Sequence, residues 1–239
     1  MTSILTLLLT VCMALPIAAS AVIPAPDMTG TLYKIDTNNK EVLFNWQMTL
    51  HPDFDEPIET VYIKPNGMVS VKENVQFDLK TNHMSRYAYK RYENNESAWL
   101  DVKNGMIEFN QIVDDKLKTK TETLPPNFVA GPLIVTFIKN NFKQLILGES
   151  IVIRYAVMDR LQTYPFKLSL APNHIRSNNH TTVVKMVPTQ FIVRQFVDPS
   201  YFIVNKTGDS IHEIIGRTVT IMVQSEKVIP IDANFVFNR

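Results

Sequence analysis

Gly131-Pro132-Leu133-Ile134-Val135-Thr136-Phe137-Ile138-Lys139-Asn140-Asn141-Phe142-Lys143-Gln144-Leu145-Ile146-Leu147-Gly148 is the stretch whose reading decides the fold. Leu133, Ile134, Phe137, Ile138, Phe142, Leu145 and Ile146 recur at spacings of three and four, with Thr136, Lys139, Asn140, Lys143 and Gln144 between them. That period predicts an amphipathic helix burying one stripe, with Phe137 and Phe142 as its anchors. Pro132 suits a first helical position and Gly148 a left-handed cap. No other segment carries so clear a helical period, and the flanks read as strand. The expected class is mainly β with one principal α-helix, a curved antiparallel sheet packed around it.

Working outward, Thr31–Ile35 and Glu41–Leu50 flank a turn-rich Asp36-Thr37-Asn38-Asn39-Lys40 and predict a hairpin. Val42, Phe44, Trp46, Met48 and Leu50 alternate with polar residues, so one face is buried. Val69, Val71, Val75 and Phe77 continue odd parity; Glu73 interrupts it, which predicts a bulge or turn there. Asn104-Gly105 is a hairpin signal. The lysines at 116, 118 and 120 predict an edge strand protected against aggregation.

After the helix the pattern changes. Ile151, Ile153, Tyr155 and Val157 face one way and Val152, Ala156 and Met158 the other. Residues 183–187 and 191–197 are also apolar on both faces, residues 201–204 and 210–215 form a hairpin, and a tail containing Pro230 ends the chain. Strands apolar on both faces need cover on both. The helix supplies one cover; a second layer of sheet, a partner chain or an apolar cavity supplies the other. A packed interior is the bland outcome.

Composition bounds the function. Ile4–Leu15 is a short apolar run followed by Pro16 and Ala19-Ser20-Ala21, which predicts a signal peptide over 1–21 and a single β-rich domain over 22–239. The run is too short to span a bilayer, which takes about 20 residues, and no transmembrane span is expected. The only cysteine, Cys12, falls in that segment, so neither disulfides nor thiolate metal sites are expected beyond it. A net charge of +1 favours no nucleic acid.

No catalytic constellation stands out. Gly208-Asp209-Ser210 matches a hydrolase nucleophile block, but no histidine follows His212 to serve as base, and Asp-Ser beside Gly is turn chemistry. His51, Asp53, Asp55 and Glu56 lack the spacing of a calcium loop, and His174 and His180 lack a third ligand, so no metal or cofactor is expected. Arg86, Lys90 and Arg91 interleave with tyrosines as a solvated strand would. Asn95, Asn179 and Asn205 begin glycosylation sequons. Arg154 and Arg194 each interrupt an apolar run; a guanidinium there pairs with a carboxylate, reaches water or meets an anionic ligand. With Ala156 they are the candidate ligand-binding residues.

The strand meander, the helix, Leu147-Gly148-Glu149-Ser150-Ile151 opening a strand and Asp198-Pro199-Ser200-Tyr201-Phe202 leading into a hairpin together resemble exported bacterial envelope proteins. Their half-barrel is similar to that of the outer-membrane lipoprotein carriers LolA and LolB. The resemblance implies a curved sheet with a helical plug and an apolar interior that accepts acyl chains. The expected function is therefore a non-enzymatic exported protein, periplasmic or else secreted. It would bind a lipid or acyl chain, or a protein partner in the cell envelope. The alternatives are an assembly protein whose apolar strands meet another subunit, and a hydrolase using Ser210.

Overall fold

A computed structural model of the chain describes residues 26–50, 58–78, 83–225 and 227–238. The expected signal segment and the acidic loop around Asp53 lie outside them. Eight strands come first: β1 (Met28–Lys34), β2 (Val42–Thr49), β3 (Ile58–Ile63), β4 (Val69–Asp78), β5 (His83–Arg91), β6 (Glu96–Lys103), β7 (Met106–Val113) and β8 (Lys116–Thr123). A short β9 (Phe128–Val129) leads into helices α1 (Leu133–Asn140) and α2 (Phe142–Ile146). Then follow β10 (Ile151–Val157), β11 (Gln162–Leu170), β12 (Thr181–Pro188), helix α3 (Phe191–Arg194), β13 (Ser200–Asn205), β14 (Ile211–Gln224) and β15 (Lys227–Phe237).

All fifteen strands form one sheet, in the order β8 to β1, then β15 down to β9. Strand β1 pairs with β15, Leu32 opposite Phe235, so the two ends of the described chain meet mid-sheet. Every pairing is antiparallel except β9 with β10. The sheet curls until one edge approaches the far half: the Thr163 N–H and hydroxyl on β11 both donate to Glu122 Oε2 on β8, at 3.0 and 2.9 Å. As its lysines predict, β8 is an edge strand.

Two apolar clusters fill the curl. One gathers Leu32, Phe44, Trp46, Val71, Val75, Leu100 and Phe109 from the first half. The other packs Ile134, Ile138, Phe142 and Leu145 of the helices on Ile151, Ile153, Phe166, Leu168 and Phe202. Ala156 belongs to the first cluster and its neighbour Ile153 to the second. β10 is thus covered by helix on one side and, at Ala156, by the other half of the same sheet, while Val152, expected on that second face, is 51% exposed.

Several local expectations change. The predicted single helix is interrupted at Asn141, whose φ of −107° leaves the helical region. Its Nδ2 donates to Phe137 O at 2.8 Å, the side chain competing with the backbone ladder. The buried stripe survives the break, but Phe137 is only half-buried and Ile146 is exposed. Residues 191–197 are not strand: they form α3 and a following turn with Phe191, Ile192 and Phe196 in solvent. The Pro230 tail is β15, a full strand.

Glu73 causes no bulge. It pairs in register with Thr60 and Tyr89, and the irregularities fall at Tyr62/Ile63 and Gln76/Phe77. The carboxylate stays on the core face because donors await it there. Thr60 Oγ1 and the Tyr62 hydroxyl reach Oε2 at 3.0 and 2.9 Å, and the Tyr87 hydroxyl reaches Oε1 at 2.6 Å. Gly208, at φ +81° in the β13–β14 turn, lies so close on the Phe142 ring that a Cβ there would collide with it.

Candidate binding groove

β14 and β15 outrun their neighbours and form an arm. Tyr201, near the start of β13, already pairs with Ile215, whereas β14 continues to Gln224. Within the arm Arg217 pairs with Asp232 but Ile221 with Pro230, so Thr218, Val219 and Thr220 face Ile231 alone. Such a bulge bends a strand, and Pro230 removes a ladder donor beside it. The Thr218 hydroxyl donates to Ile231 O at 3.1 Å and fixes the bend.

The bent arm leans across the end of the sheet onto the first half. Arg91 of β5 receives it: Nε donates to Val219 O at 2.8 Å. The same guanidinium reaches Glu96 Oε2 at 3.1 Å and Asp159 Oδ1 at 2.9 Å through Nη1. Glu96 also accepts from Gln111 Nε2 at 2.8 Å and Asn94 Nδ2 at 2.9 Å. Burial pushes the Glu96 carboxyl up, but Arg91 and these donors outweigh it and hold it below its ordinary value. Arg91 therefore ties β5, the β10–β11 corner and the arm together.

Between the arm and β2 lies an open groove of about 600 Å³. Leu43 and Phe44 line it from β2, and Ile221, Met222, Val223 and Ile231 from the arm. Its polar side chains come from two turns only: Lys64 and Asn66, beside Pro65, between β3 and β4, and Glu93 between β5 and β6. Lys64 Nζ stands 2.9 Å from Glu93 Oε1, and the Glu93 side chain is only 9% exposed. Among the described residues no donor, Lys64 included, meets either Glu93 carboxylate oxygen in hydrogen-bond geometry.

The predicted site residues lie elsewhere. Arg154 donates from Nε and Nη2 to Thr163 Oγ1, at 3.0 and 2.7 Å, and so braces the contact with Glu122. Ala156 is buried in the core at 4% exposure. Arg194, exposed on α3, donates from Nε to Pro188 O, with β11 and β12 between it and β10. Arg154 and Ala156 are near neighbours on β10; neither they nor Arg194 line the groove. Its members come from five places in the chain, and only the arm's unbroken apolar run Ile221-Met222-Val223, which departs from one-sided alternation, could have signalled it.

Other candidates resolve into structure. Burial raises the pKa of Glu73, against hydrogen bonds that lower it, but the group is 3% exposed and surrounded by hydroxyls rather than a cleft. The Ser210 N–H donates to Asn205 Oδ1 at 3.2 Å in the turn read from the sequence. The His174 ring lies against Tyr201, at 4.5 Å between centroids. Among the described residues no three His, Cys, Asp or Glu side chains gather as for a metal, and no helix is long and apolar enough to cross a membrane. Arg86 pairs with Asp101 at 2.8 Å, on the opposite face from Arg91.

No protein-family model, curated protein or solved structure matches this chain.

Proposed function

We propose that this chain is a non-enzymatic exported binding protein that holds one amphiphile, a lipid or acyl chain, in the groove beneath the β14–β15 arm. The observation that carries the reading is the groove's division of labour. Seven of its ten lining residues are apolar, and all three polar ones sit on two neighbouring turns. Ligand sites of this kind hold roughly 300–1,000 Å³, mostly apolar with few polar groups that fix orientation. The interior is filled by side chains such as Ala156, Trp46 and Phe109, so the chain of the ligand lies at the end of the sheet. Native mass spectrometry of the purified protein tests this: one co-purified amphiphile per chain supports it, and a bare chain that takes up none from added lipid rejects it.

A second reading rests on α3. Phe191, Ile192 and Phe196 are 74%, 71% and 76% exposed on one short segment, a patch suited to an envelope protein or another subunit. Sedimentation at increasing concentration tests it, since a subunit interface there gives an oligomer that Phe191→Ser dissociates.

A further inference from the structure

We infer that the groove selects an amphiphile with a zwitterionic head, a primary ammonium beside a phosphate; this rests on the amphiphile reading above. Glu93 carries the argument. A carboxylate whose side chain is 9% exposed normally has two or more donors, because burying it unpaired is costly. Among the described residues Glu93 has none in hydrogen-bond geometry, only the Lys64 ammonium 2.9 Å from one oxygen. The neighbouring Asn94 Oδ1 is likewise buried without a donor. A ligand that brings N–H donors therefore completes what the chain leaves unmade.

Lys64 supplies the other half. Its side chain is 31% exposed on a flexible four-carbon stem, so the ammonium can turn from Glu93 toward an arriving anion. The head's own ammonium then takes its place on the carboxylate. Charge is conserved in this exchange: one ion pair becomes two, with no buried group left unpaired. A purely anionic head would engage Lys64 and strand Glu93. A quaternary ammonium would carry the charge but no N–H to donate, and both deficits count against binding.

The test uses the mature protein with an environment-sensitive apolar dye, displaced by single-chain phospholipids of one chain length. These carry ethanolamine, choline or glycerol on the phosphate. The ethanolamine head should displace at about tenfold lower concentration than either other, the scale of one hydrogen bond to a charged group. Glu93→Gln should erase that ranking, and Lys64→Gln should weaken all three. If the dye binds and all three compete within twofold, the head-group inference is overturned while the groove reading stands. If no dye binds, the groove reading itself fails. Should Glu93→Gln not fold, the ranking on the unaltered protein still decides.

Discussion

Arg91 Nε donates to Val219 O at 2.8 Å across 128 residues of chain, so a strand of the first half fastens the arm made by the last. Arg91 is 5% exposed, and its guanidinium also holds Glu96 and Asp159. Removing one partner of a buried charge network costs about 3–5 kcal/mol, since the other charge is left uncompensated. Arg91→Met should lower stability by that scale. Hydrogen exchange should speed up over residues 218–231 more than over β6 and β7; equal protection of the arm would show that Arg91 does not fasten it.

Glu73 makes stability depend on pH in an unusual direction. Its folded pKa is raised above 4.5 by burial, so the native state binds this proton more tightly than the unfolded chain does. Stability from this group is complete below its unfolded value and declines as pH rises through the folded one. Glu73→Gln, neutral throughout, should therefore gain on the unaltered protein as pH climbs from about 4.5 toward neutrality. Urea midpoints measured across that range check it, and a gap that does not change with pH contradicts it.

Phe142 anchors the helical side of the core at 3% exposure. Phe142→Ala should cost about 3–5 kcal/mol. Gly208→Ala should also destabilise, both through its φ of +81° and through collision with the ring. Combined, the two should cost less than their sum, because the alanine at 142 vacates the space the new Cβ needs. Strict additivity in denaturant unfolding would mean that the turn and helix are not in contact.

Ala156 separates core from groove. Ala156→Leu should destabilise by about 1–3 kcal/mol through overpacking while leaving dye affinity unchanged. Weakened dye binding by a still-folded variant would return the ligand to the interior of the curl.

The sheet was legible where a local pattern suffices: the one-sided alternation of β2, the Asn104-Gly105 turn and the lysine edge of β8 all describe what a strand does alone. The helical stripe was legible too, but not its break, because Asn141 reads as an ordinary polar position until its amide is seen on Phe137 O. Apolar content over 191–197 suggested burial, yet the run connects two adjacent strands and none of the described residues covers Phe191, Ile192 or Phe196. Glu73 looked like an interruption because its donors, Tyr62 and Tyr87, arrive only through cross-strand pairing. The groove depended on a long-range contact, the arm folding back over β2.

The central claim is that an acyl chain lies beneath that arm. A single-chain lipid bearing a photoreactive group near its chain terminus, irradiated with the purified protein and mapped by peptide mass spectrometry, tests it most directly. The account predicts labelling confined to Leu43, Phe44, residues 221–223 and Ile231, abolished by excess unlabelled lipid. Competable labelling of Ile153, Ala156 or the α1 stripe, with the groove unlabelled, would contradict it.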